Sequence, residues 1–166
     1  MKEILPYRIL SFILLPIVAI LGLITVFMVL VALANPVLFL PVFLLGSGVV
    51  YVIASFIFLQ KGIDNHQPCK HRLKDWIRVN AFVSIAFCVL MLFNCVTFLS
   101  NPNSFAEMMH QAISQQPMMT LPEATYIKMM KGVLYFFLGY ALILLAHIFL
   151  TFRLLKAYAG MFKEKG

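Results

Sequence analysis

Apolar positions in this chain run on without the alternation of polar ones that marks a half-buried helix or strand. Four stretches, residues 9–34, 37–59, 79–99 and 132–152, contain no Asp, Glu, Lys or Arg. Crossing a hydrocarbon core of about 30 Å takes roughly 20 apolar residues in a helix, so each stretch is long enough to span. Helix is the state expected there, because it satisfies its own backbone where no water can. The pattern predicts an all-α polytopic membrane protein, a single four-helix domain over 1–166. Its four transmembrane helices form two antiparallel hairpins, joined by a cytoplasmic loop at 60–78 and an outer loop at 100–131. The first stretch has a signal-like start (Lys2, Arg8) and an Ala32-Leu33-Ala34 end. It is too long for a signal core and runs almost directly into the second, so it reads as a retained anchor.

Composition agrees. The chain is 63% hydrophobic and 11% charged, with a mean hydropathy of +0.97, against roughly 45–50% apolar and about 25% charged in a soluble domain. A chain this short could not hide that surplus from water. A soluble enzyme, a nucleic-acid-binding domain and a disulfide-stapled scaffold are excluded, and the lipid bilayer is the first partner.

Charge sets the expected threading. Lys2 and Arg8, then Lys61, Lys70, Arg72, Lys74 and Arg78, then Arg153, Lys156, Lys163 and Lys165 flank one side, whereas Lys128 and Lys131 alone flank the other. The positive-inside rule places both termini and the middle loop in the cytoplasm. Lys70, Arg72, Lys74 and Arg78 are candidates for binding a partner or anionic lipid. Trp76, Tyr7 and Tyr158 suit the cytoplasmic boundary. The absence of an N-x-[ST] sequon fits a bacterial cytoplasmic membrane.

Between the spans, Pro36 and Pro41 predict a tight turn within 33–41. The outer segment carries two capping-box patterns, Ser104 with Glu107 and Thr120 with Glu123. The first predicts an amphipathic helix with Phe105, Met108, Met109, Ala112 and Ile113 on one face. The second, with Pro122 in its first turn, predicts a helix running through Tyr126 and Met130 into the fourth span. The tail after Lys156 reads as a short basic helical extension. A faint two-plus-two repeat pairs Asn35-Pro36 with Asn101-Pro102, and Ile57-Phe58-Leu59 with Ile148-Phe149-Leu150.

In lipid, helices associate through small residues and interhelical hydrogen bonds. The expected seams are Ser11, Val18, Gly22, Thr25 and Ala32 on the first span and Gly48, Tyr51 and Ser55 on the second. The third offers Asn80, Ser84, Phe87, Met91 and Asn94; the fourth offers Gly132, Gly139 and Ala146. Asn94 is expected to make an interhelical hydrogen bond. Tyr140, His147 and Thr151 share one side of the fourth span, and His147 is the one ionisable group of the Asp, Glu, Lys, Arg and His set deep in a span. Such a group is a functional suspect. The plainer reading is a neutral imidazole bonded to Tyr140, Thr151 or a carbonyl across the bundle.

Six of the ten methionines fall in the outer segment as Met108-Met109, Met118-Met119 and Met129-Met130, with His110 beside the first pair. Soft thioethers suit Cu(I); flexible packing or partner contact is the plainer use. In the middle loop Asp64, His66, Cys69 and His71 make an irregular set for zinc, which prefers paired spacings. Cys88 and Cys95 lie along one helix too far apart to bridge.

No H-E-x-x-H, G-x-S-x-G or C-x-x-C occurs, and no carboxylate lies in any span. No catalytic constellation is present, and no cofactor is specified. The expected role is a non-catalytic small subunit or assembly partner of a larger membrane complex, with a protein partner or a homo-oligomer and no nucleic acid. The alternatives are a haem- or quinone-holding electron-transfer subunit using His147, Cu(I) handling by the outer methionines, and a channel or transporter subunit.

Overall fold

A computed structural model of the chain describes residues 4–114 and 122–163. The protein is all-α, with α1 (Ile4–Ala34), α2 (Phe39–Ile57), α3 (His71–Ser100), α4 (Pro102–Ser114) and α5 (Glu123–Ala157). Four helical segments are long and apolar enough to cross a membrane: Ile4–Ala34, Pro36–Asp64, His71–Ser100 and Ala124–Ala157. The chain falls into two compact units, Met1–Phe87 with Ile143–Gly166, and Cys88–Leu142.

In the first unit α1 and α2 pack together across a tight turn. Asn35 ends α1, and its side-chain oxygen accepts from the Val37 amide at 3.3 Å. Pro36 opens a 3₁₀ turn, Pro36–Leu38, where its missing N–H costs nothing. Pro41 falls in the first turn of α2 for the same reason. Small residues permit close approach: a Cβ on Gly22 would touch Val49 at 3.5 Å, and one on Gly46 would touch the Thr25 methyl at 3.6 Å. Ser11, Val18 and Ala32 on α1, and Gly48, Tyr51 and Ser55 on α2, are buried, as their spacing predicts.

α2 continues as a π-helix, Phe58–Asp64. The middle connection is therefore far shorter than the 60–78 loop read from the sequence. Irregular chain is confined to residues 65–68, where His66 takes a left-handed φ of 50° and the Gln67 amide bonds the Lys61 carbonyl at 2.9 Å. The tail also departs from expectation. After a 3₁₀ turn at Ala159–Met161, Phe162–Lys163 pairs in parallel with Cys69–Lys70, so the helical extension stops at Ala157. Phe162 stacks on Phe58 with centroids 5.4 Å apart and lies 5.6 Å beneath the Lys74 ammonium. An ion pair joins Arg8 to Asp64. The first turns of α1, the connection between α2 and α3 and the chain after α5 thus meet at one end of this unit.

In the second unit, α4 begins at Pro102, with the Phe105 amide bonded to the Asn101 carbonyl at 3.1 Å. Asn101, not Ser104, precedes the first turn, because a proline at the first helical position presets the backbone two residues ahead of the capping-box hydroxyl. Phe105 and Met109 are buried, Ile113 is half-buried and Met108 is exposed, so the buried face is narrower than predicted. Phe105 meets Phe98 of α3 edge-on at 5.9 Å. Pro122 stands just before α5, not within its first turn, and its carbonyl accepts from the Thr125 and Tyr126 amides. α5 then runs unbroken through Tyr126 and Met130 into the span. Thr120, Met118 and Met119 lie outside the described residues.

The buried faces of α3 and α5 differ from the seams predicted, of which Ser84 alone is buried. On α3 the buried positions are Ile77, Ala81, Ser84, Cys88 and Cys95; on α5 they include Tyr140, Ala141, Leu144, His147, Ile148 and Thr151. Gly132 and Ala146 are exposed, and a Cβ added to Gly139 would meet nothing within 4 Å. Hydrogen-bonding capacity decides the rotation of α5. Its imidazole and hydroxyls would lose their partners in lipid, whereas glycines facing lipid lose only packing.

Candidate functional site

The site is built from three pairs with one spacing. Tyr7 and Ser11 on α1, Tyr51 and Ser55 on α2, and His147 and Thr151 on α5 each place a ring and a hydroxyl four residues apart. On a helix that spacing puts both on one face. All six residues belong to the first unit, and all are at most 1% exposed.

His147 is the hub. Its Nε2 lies 2.8 Å from Ser11 Oγ and its Nδ1 lies 2.8 Å from the Tyr51 hydroxyl. Tyr7 stacks on the imidazole at 4.8 Å between centroids, 20° from parallel, and Tyr51 meets it edge-on at 5.7 Å. The Tyr51 oxygen is also 2.7 Å from Thr151 Oγ1. The outer bonds end on main chain: Ser11 donates to the Tyr7 carbonyl at 2.8 Å, and Thr151 to the His147 carbonyl at 2.8 Å. Tyr7 donates to the Ser55 carbonyl at 3.0 Å. That carbonyl sits where α2 gives way to the π-helix, since the Phe58 amide is shared between Ala54 and Ser55.

Proton counting shows how a neutral imidazole fits. Five links make up the path Tyr7 carbonyl, Ser11, His147, Tyr51, Thr151, His147 carbonyl, and the neutral side chains bring four protons. With the proton on Nε2, His147 donates to Ser11, Ser11 donates to Tyr7, and Tyr51 donates to Nδ1; Thr151 keeps one of its two acceptors. With the proton on Nδ1, Ser11 donates to Nε2, His147 to Tyr51 and Tyr51 to Thr151, and Thr151 donates to the His147 carbonyl. Each tautomer fills four of the five links. Among the described residues, no buried side-chain nitrogen or oxygen lacks a partner. Both ring nitrogens face hydroxyls, so a metal or haem iron would have to displace Ser11 or Tyr51.

The structure therefore joins His147 with Thr151 as the sequence suggests, but through Tyr51, and replaces Tyr140 by Ser11 and Tyr51 as its partners. Tyr140 is buried within the second unit. Tyr7, read from the sequence as a boundary residue, forms a wall of the site. The signal that identifies these partners is the recurring ring-x3-hydroxyl pair at the basic ends of three spans.

Asn94 is exposed and donates to the Leu90 carbonyl of its own helix at 2.9 Å, in place of the interhelical bond expected. Thr97, one turn on, is likewise exposed and bonded back to Phe93 at 2.8 Å. Of the methionines read as soft ligands, Met109 is buried and Met108 and Met129 are exposed, with Met130 between; His110 is exposed on α4. The middle-loop set is dispersed: Asp64 pairs with Arg8, His71 with Asp75 at 3.0 Å, and Cys69 is buried. Among the described residues, no three His, Cys, Asp or Glu side chains converge. Lys70, Arg72 and Arg78 are exposed, and Lys74 lies over Phe162.

Comparison with protein-family models, curated proteins and solved structures gave no significant match.

Proposed function

We propose that this chain is a non-catalytic multi-pass subunit of a larger membrane assembly. The observation that carries the reading is Asn94, exposed inside the third span with one N–H turned back on its own helix. Its remaining N–H and its amide oxygen have no partner among the described residues. In hydrocarbon each unsatisfied polar group costs several kcal/mol, whereas a neighbouring transmembrane helix supplies partners. Thr97 extends the same face. The His147 network supports a structural use of the histidine, since its nitrogens are spent on holding α1, α2 and α5 together. In this reading the basic end faces the cytoplasm of a bacterial cell.

Purification in mild detergent tests the proposal. The wild type co-elutes with a stoichiometric membrane partner or as a homo-oligomer; Asn94→Leu with Thr97→Val releases it, and Val89→Ala, an exposed apolar control, does not. A wild-type protein that is monomeric and alone overturns the reading. A haem Soret band or bound quinone, lost on replacing His147, would establish the electron-transfer alternative instead.

A further inference from the structure

The first unit carries an apolar groove of about 260 Å³ between α2 and the start of α3, lined by Val50, Ile53, Ala54, Ile57, Leu73 and Trp76. A second hollow of about 400 Å³ adjoins it across Trp76, lined by Asp75, Trp76, Val79 and Asn80. Trp76 is 58% exposed and stands in the first turns of α3, where a transmembrane helix meets its boundary. An indole there offers an apolar face to chains and an N–H to headgroups.

Two cations stand one turn from lining residues. Arg72 lies one helical turn before Trp76 and on the same face; Lys61 lies just beyond Ile57 in the π-helix. Both are exposed. Asp64 is paired with Arg8, and Asp75, which lines the second hollow, is bonded to the His71 ring at 3.0 Å. A groove apolar along its length, opening at an aromatic boundary residue and ending in cations, matches a single molecule that is oily below and anionic above.

We infer that this groove binds an anionic phospholipid, with an acyl chain along Ile53, Ile57 and Leu73, the indole of Trp76 beside it, and the phosphate between Lys61 and Arg72. Near a membrane surface each such cation favours an anionic lipid roughly fivefold. The site is independent of the assembly proposed through Asn94, which lies in the other unit.

Trp76 is the chain's single tryptophan, so its fluorescence reports the groove together with the hollow that adjoins it. The full-length protein is reconstituted in phosphatidylcholine vesicles containing increasing fractions of phosphatidylglycerol or phosphatidylcholine with brominated acyl chains. Brominated phosphatidylglycerol should quench at a fraction at least fivefold lower than brominated phosphatidylcholine. Lys61→Gln with Arg72→Gln should merge the two curves. Lys70→Gln with Lys156→Gln, which removes the same charge from the same end, should leave them apart. Coincident curves in the wild type overturn the inference, as does equal loss of preference in both double variants, which would mark a diffuse ionic atmosphere. Quenching by neither lipid also overturns it, since a protein surface would then cover the groove.

Discussion

Ser11 Oγ lies 2.8 Å from His147 Nε2 across 136 residues of sequence, and this bond ties the start of α1 to the end of α5. Tyr51 grips the opposite nitrogen from α2. Three helices are thus registered by one ring in a medium where burial of apolar side chains does not distinguish one packing from another.

Variants of this network should rank by how many hydrogen bonds each one removes. Intramembrane hydrogen bonds average about 0.6 kcal/mol and reach about 1.7. Ser11→Ala should therefore cost about 0.5–1 kcal/mol, and Tyr51→Phe, which removes two such bonds, about 1–2. His147→Ala also empties the space under the Tyr7 ring and should cost about 2–4 kcal/mol. Reversible unfolding in mixed micelles of increasing denaturing detergent measures the series. A His147→Ala protein as stable as the wild type would show that the ring does not hold the helices.

The C-terminal tail is expected to control the reactivity of Cys69. Burial pushes this thiol above its ordinary range, with the positive charge of Lys61 pulling the other way. Phe162→Ala removes the stack on Phe58 and the platform under the Lys74 ammonium, and should open the strand pairing at Cys69. Iodoacetamide at pH 8 should then label Cys69 several-fold faster, while Cys88 and Cys95 keep their slow rates. An unchanged Cys69 rate would mean the tail does not shield it.

The same thiol makes the docked end pH-dependent. A raised folded pKa contributes stability that is complete below the unfolded value of about 8.5 and is lost as pH rises through the folded value. Proteolytic release of the tail should therefore become easier from about pH 9 upward, and Cys69→Ala should flatten that rise. A pH profile identical in the variant would remove Cys69 as its source.

What is legible in the sequence follows from which forces leave a periodic trace. Span number and the Asn35-Pro36 turn are written in uninterrupted apolar runs and in two prolines, and both stand in the structure. The rotation of α5 is hidden because Gly132, Gly139 and Ala146 repeat every seven residues just as the buried Tyr140, His147 and Leu154 do. Spacing alone cannot rank a glycine seam against a histidine that needs partners. Ser11 and Tyr51 show their burial through spacing but not their partner, because a bond across 136 or 96 residues leaves no local signature. The parallel pairing of Cys69–Lys70 with Phe162–Lys163 is two residues long, too short for any alternation to announce it.

Two glycines separate close packing from mere helix content. A Cβ added at Gly62 would stand 3.0 and 3.1 Å from the Phe58 ring and 3.3 Å from the Cys69 sulfur. Phe58 is itself pinned between Phe162 and Tyr158, so the ring has little room to yield. Gly62→Ala should cost about 1–3 kcal/mol as overpacking and should loosen the tail. At Gly139 nothing lies within 4 Å of the added carbon, and alanine is the better helix former by up to about 1 kcal/mol. Gly139→Ala should be neutral or stabilising. Unfolding in mixed micelles reads both, and Cys69 labelling reads the first alone. Equal effects at the two positions would mean that the π-helical end is not packed against the tail as described, and that Phe58 is free to move aside.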